Sequence, residues 1–154
     1  MKVKYFNLLL IFSFFLLFSC GEKQVRKIEE NKIENKSKVI EADTKYFIDN
    51  IAKIENNALT YVGEKPAIVD FYASWCGPCK KLSPIMEKMS EKYKDKVCFY
   101  KIDVDESSDL ANTLKITGIP TLIFFSDSSS APIIMQGFMS ETELEYYINT
   151  YLLK

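Results

Sequence analysis

An α/β domain, with a central mixed β-sheet flanked by helices on both faces, is what this sequence predicts. Three observations carry that expectation. Short branched and aromatic runs at 67–72, 97–104 and 121–125 alternate with stretches of helical periodicity, and such alternation packs helices against a sheet. The chain is 47% apolar and 14% aromatic, enough for one core in the roughly 110 residues that follow a charged tract. No internal repeat divides it. Composition also excludes: 20 basic and 21 acidic residues give a net charge of −1, too weak a field to hold a nucleic acid. Histidine is absent, which removes His-based metal sites, the Ser-His and Cys-His nucleophiles and the usual near-neutral base.

The elements follow in order. Lys2 and Lys4 precede an apolar run at 8–18 and the small residues Ser19, Cys20 and Gly21, the layout of a signal peptide over residues 1–19. The run is shorter than the roughly 20 residues of a spanning helix, so cleavage is expected. Leu17-Phe18-Ser19-Cys20 resembles the bacterial lipobox, in which the cysteine becomes the lipidated first residue. Residues 22–38 are rich in Glu, Lys and Asn with only Val25, Ile28 and Ile33 as apolar residues, a solvated linker. With Cys20 it makes a tether over 20–42 of roughly 25 Å typical span and roughly 70 Å at full extension. The domain is expected over 43–154.

Phe47, Ile51 and Ile54 predict a first helix over 43–54, ended by Asn56 and Asn57. Residues 67–72 read as a strand buried on both faces, interrupted by Asp70. Beyond Pro78 a helix carries Leu82, Ile85, Met86 and Met89, with Pro84 expected to kink it. A strand at 97–104, a short helix at 109–114 and a strand at 121–125 come next. A turn at 126–131 leads to an edge strand at 132–136, where a starting proline loses no ladder bond. Ser140 and Glu143 form a capping box before Leu144, Tyr147, Ile148, Tyr151 and Leu152, an amphipathic closing helix.

The chemistry concentrates in Trp75-Cys76-Gly77-Pro78-Cys79-Lys80, where a buried strand hands over to a helix. Unpaired N–H groups and the helix dipole favour an anion there, so Cys76 is the attacking thiolate. Cys79, one turn further in and less exposed, would resolve the mixed disulfide by closing a ring with Cys76. Pro78 has no N–H to lose in a first turn. A zinc site needs four ligands, and neither a second CxxC nor a histidine exists. A structural disulfide remains open in an exported protein, although it explains neither the strand-to-helix position nor the flanking residues. Cys98, between Val97 and Phe99, reads as a small buried apolar residue without a redox role.

Val69-Asp70-Phe71-Tyr72-Ala73-Ser74-Trp75-Cys76-Gly77-Pro78-Cys79-Lys80 resembles the active-site segment of thioredoxins. Pro84, Lys101-Ile102-Asp103-Val104-Asp105, Gly118-Ile119-Pro120-Thr121 and Gly137 match the family's further marks in order. The resemblance covers residues 58–154 and implies a thioredoxin fold. It also implies that the redox group is the Cys76–Cys79 disulfide, with no other cofactor and no metal. Asp70 would be the buried carboxylate exchanging a proton with Cys79, its pKa raised by desolvation, and also open to a salt bridge with Lys101, which lies close to that acid in the family. Pro120 would be cis and face the sulfurs, and the backbone of Ile119 would pair with extended substrate. Trp75, Gly77, Pro78, Ile119, Gly137 and Phe138 would form an apolar docking surface. Tyr72 stands where the family often has Trp.

Gly77-Pro78 between the cysteines resembles the reducing members, so disulfide reduction of protein substrates is expected. An exported compartment would oxidise the pair, which implies a membrane electron donor. The expected form is a monomeric lipoprotein anchored through Cys20 and facing the periplasm. An isomerase, a helper in cytochrome c maturation, and a thioredoxin-fold binding module at the membrane are the alternatives.

Overall fold

A computed structural model describes residues 39–55 and 58–154. The signal segment, Cys20 and the tract through residue 38 lie outside the described residues, as do Asn56 and Asn57. Five strands form the main sheet: β1 (Val39–Glu41), β4 (Ala67–Tyr72), β5 (Cys98–Asp103), β6 (Thr121–Phe125) and β7 (Ile133–Gln136), in the order β1-β5-β4-β6-β7. β1 and β4 run parallel to β5, while β6 runs antiparallel to both β4 and β7. A separate hairpin pairs β2 (Ala52–Glu55) with β3 (Ala58–Tyr61). The helices are α1 (Thr44–Tyr46, continuing as a π-helical turn Phe47–Ile51), α2 (Gly77–Lys92), α3 (Ser108–Thr113) and α4 (Glu141–Tyr147, continuing as a π-helical turn Ile148–Leu152).

Alternation along the strands sorts the side chains into two cores. On one face Ile68, Phe99, Leu122 and Phe124 pack with Leu82, Met86 and Met89 of α2 and with Leu144, Ile148 and Leu152. On the other, Val69, Phe71, Ile102, Ile123 and Phe125 pack with Phe47, Ile51, Tyr61 and Leu110. Tyr61 stacks on Phe125 with ring centroids 4.9 Å apart. The expected architecture, a mixed sheet covered on both sides, is the observed one. Pro84 sits inside α2, which runs through it to Lys92.

Three expectations change. Val39–Glu41 is a sheet strand, not linker, with Val39 paired to Phe99 and Glu41 to Lys101. The folded domain, expected to begin at 43, therefore includes at least Val39 to Ala42 as well. The first helix ends at Ile51 rather than 54, where the Ala52 N–H closes a bond to the Phe47 carbonyl. Residues 52–55 form the strand β2 instead, with Ala52 buried and Lys53 and Glu55 exposed, the two-residue period of a half-covered strand. The capping box is as expected: the Ser140 side chain accepts from the Glu143 N–H, and the Ser140 N–H donates to the Glu143 carboxylate at 2.8 Å.

Candidate active site

Strand pairing alone gathers the candidate residues at one end of the sheet. Tyr72 at the end of β4 pairs with Asp103 at the end of β5, and Phe71 pairs with Thr121 at the start of β6. Thr121 in turn pairs with Gln136 at the end of β7. The segments 73–76, 104–107, 117–120 and 137–138 therefore leave the sheet at the same edge. They bring together Cys76, Asp105, Ile119, Pro120 and Gly137.

Cys76 and Cys79 are joined, with an S–S length of 2.02 Å. Cys76 is the N-cap of α2, and its sulfur accepts the Cys79 N–H at 3.2 Å. Exposure barely separates the two, at 4% for Cys76 and 3% for Cys79. Cys79, expected to be the less exposed, is so only marginally in this disulfide form. What distinguishes Cys76 is the backbone donor aimed at its sulfur, the same group that would stabilise a thiolate there.

The docking residues divide by exposure. Trp75 is 66% exposed, and its indole N–H donates to Asp105 Oδ2 at 2.7 Å. Gly77 and Pro78 are exposed. Ile119 packs against the small buried cluster of Ala73, Cys76 and Cys79. The Ile119–Pro120 peptide is cis. Gly137 holds φ at +107°, a conformation that favours glycine, and its N–H donates to the Pro120 carbonyl at 2.7 Å. Phe138, next in sequence, is half exposed. Thr121 Oγ1 donates to the Gly118 carbonyl and Thr117 Oγ1 to Gln136 Oε1, tying the proline loop at both ends.

Asp70 lies on the α2 face of β4, since it alternates with Val69 and Phe71 of the opposite core. It is buried, and its Oδ1 has no hydrogen-bond partner among the described residues. Desolvation raises its pKa to about 7, partly opposed by the positive charge of Lys101. The alternative of a direct Asp70–Lys101 salt bridge is corrected: the Lys101 ammonium pairs with Glu41 Oε1 at 3.5 Å and stands 5.5 Å from the centre of the Tyr72 ring. Tyr72 Oη donates to the same Glu41 oxygen at 2.6 Å.

Two residues of this neighbourhood were not legible as site residues. Glu41 sits in a strand too short to leave a pattern, and Asp105, although it closes the segment 101–105 that resembles the family, carries no site role in the sequence reading. Cys98 is a free thiol, half-buried rather than buried. It opens onto a groove of about 650 Å³ lined by Tyr46, Lys53, Tyr61 and Tyr100, because β5 begins beside the hairpin.

The profile of the family described as Thioredoxin matches residues 38–150. This chain belongs to the thioredoxin family. The thioredoxin of Borreliella burgdorferi is 41% identical over 92 residues, spanning 60% of this chain and 78% of that protein. Thioredoxin-2 of Saccharomyces cerevisiae is 52% identical over 63 residues, 41% of this chain and 60% of the yeast protein. In structure the chain is similar to chloroplastic thioredoxin z, with a TM-score of 0.60 and 29% identity over 72% of this chain and 91% of that one. Family membership, with Cys76 and Cys79 paired at a helix start, makes the chain a thiol–disulfide oxidoreductase on the thioredoxin fold. Among the described residues, no helix of this thioredoxin-family chain is long and apolar enough to cross a membrane.

Proposed function

We propose that this protein is a protein-disulfide reductase, exported and held at a membrane by lipid on Cys20. The observation that carries the enzymatic part is the Cys76–Cys79 disulfide at the start of α2, with its N-cap sulfur beside Ile119 and the Pro120 loop. In the reduced enzyme the Cys76 thiolate attacks one sulfur of a client disulfide. The client S–S bond breaks, its electron pair leaves on the other client sulfur, and a mixed disulfide remains on Cys76. Cys79 then attacks the Cys76 sulfur while its proton passes to the Asp70 carboxylate. The client leaves as a thiol, and the oxidised enzyme is the form described above.

An extended client segment pairs with the backbone at Ile119 and rests against Trp75, Gly77, Pro78, Gly137 and Phe138, bringing its disulfide to Cys76. Continued turnover in an oxidising compartment requires electrons from a donor, and a membrane carrier supplies them. The tract before residue 39 supplies the reach between lipid and domain.

Reduction of insulin disulfides by the wild-type chain and by Cys76→Ser tests the enzymatic reading. Loss of turnover in the variant is expected, and equal rates would refute it. Reducing and strongly oxidising relatives differ by ~150 mV, or roughly 7 kcal/mol, so the potential of the pair decides direction. A value near −270 mV is expected for a reductase, whereas one near ~−120 mV would overturn that assignment. Labelling with radioactive palmitate, lost in Cys20→Ala, tests the anchor.

A further inference from the structure

Register lines up one residue from each strand on the α2 face of the sheet: Glu41 on β1, Lys101 on β5, Asp70 on β4, Leu122 on β6 and Met135 on β7. The row passes from charged at one edge to apolar at the other. Asp70 therefore has Leu122 on one side and, on the other, a lysine that already has a partner. Adjacent strands lie about 4.8 Å apart, so the long Lys101 side chain could serve either neighbouring carboxylate. It serves Glu41, at 3.5 Å, and leaves Asp70 Oδ1 unpartnered. Tyr72 reinforces this choice twice, since its hydroxyl holds Glu41 Oε1 at 2.6 Å and its ring stands 5.5 Å from the Lys101 ammonium.

We infer that Glu41 and Tyr72 are positioning residues that set the protonation of Asp70 by fixing the Lys101 ammonium toward the β1 edge of the sheet. The inference rests on the reading of Asp70 as the proton acceptor for Cys79. As a source of stability the pair is slight, because the Glu41 side chain is 65% exposed. As an electrostatic device it matters more, because the charge it directs adjoins a buried carboxylate.

Several other titratable groups share this face or its rim. β5 adds Asp103, whose Oδ1 accepts the Asp105 N–H at 2.9 Å. The following loop adds Asp105, held by Trp75, and Glu106, which with Asp103 and Glu41 raises the pKa of the Tyr72 hydroxyl already raised by burial. α2 adds Cys76 and Cys79, which do not titrate while bonded. β6 offers Leu122, which carries no charge.

Replacing Glu41 by Gln removes the ion pair and one negative charge. Lys101 is then free to turn to Asp70, and both changes favour the Asp70 carboxylate. Carbon-13 titration of the Asp70 carboxyl in the full chain, its signal identified by loss in Asp70→Asn, reads this directly. Glu41→Gln is expected to lower the Asp70 pKa by about half a pH unit or more. Tyr72→Phe should lower it by a smaller step, and Lys101→Met should raise it. An Asp70 titration unmoved in both Glu41→Gln and Tyr72→Phe, with native amide spectra, would overturn the inference. The pH profile of mixed-disulfide resolution separates this from the reading beneath it. A profile that moves with the carboxyl supports both, while one that stays fixed as the carboxyl titration moves removes Asp70 from the proton step and leaves the positioning role standing.

Discussion

Burial raises the Asp70 pKa from an ordinary 3.8 to about 7, because loss of water outweighs the Lys101 charge. The effect on stability has a definite sign. Between these two values the folded protein holds a proton that the unfolded chain has released, so stability falls as pH rises from about 4 through 7. The full penalty applies above pH 7 and is on the order of 4 kcal/mol. Asp70→Asn is therefore expected to stabilise the protein at pH 8, with the gain shrinking to nothing near pH 4. Urea unfolding at the two pH values checks this, and a gain independent of pH would contradict the assigned cause. The same substitution should slow disulfide resolution. At this scale the sequence was informative wherever chemistry is local. Cys76, Cys79, Asp70, Lys101 and Trp75 are identifiable from one contiguous motif and one downstream segment. Glu41 was not, because its importance comes from strand register, and no spacing in the chain relates residue 41 to residues 72 and 101.

Elements were legible where one period dominates. In α4, Leu144, Ile148 and Leu152 recur every four residues, all are buried, and a capping box marks the start. Ser140→Ala removes the side-chain acceptor for the Glu143 N–H and is expected to cost about 1 kcal/mol of stability, read as a lower urea midpoint with unchanged slope. The hairpin was missed because Ile54 lies three residues after Ile51 and so fits helical spacing, although Lys53 and Glu55 point outward in strand fashion. Covering by tertiary contacts decides between the two, with Tyr61 stacked on Phe125 fixing the hairpin to the sheet. The end of α3 holds a different misfit. Lys115 has φ of +56°, and the Ile116 N–H reaches back to the Ala111 carbonyl at 2.9 Å, a termination that usually employs glycine. Lys115→Gly is expected to stabilise the fold by roughly 0.5–1 kcal/mol, the left-handed penalty less the extra freedom of glycine when unfolded. A midpoint that drops would show that the lysine side chain contributes more than its backbone costs.

For the molecule as a whole, β1 joins stability to chemistry. The sheet of a domain starting at residue 43 would end at β5, leaving that strand's edge unpaired and open to other chains. Val39 and Ala42 are each only 7% exposed, and burying a valine is worth about 1.5–3 kcal/mol. A chain starting at residue 43 is expected to lose about 2–3 kcal/mol relative to one starting at 38. It also lacks Glu41, so Lys101 should turn toward Asp70 and its carboxyl should titrate at lower pH, as in Glu41→Gln. The two consequences have different causes and can be separated. Keeping 39–42 with Glu41→Gln should move the titration yet preserve the urea midpoint at about pH 5, where the folded protein holds the Asp70 proton with either residue at 41. Deleting the segment should change both. Equal midpoints for the two starting points would mean that β1 merely lies along the sheet, and the thioredoxin domain would then begin at α1 as its helical periodicity first suggested.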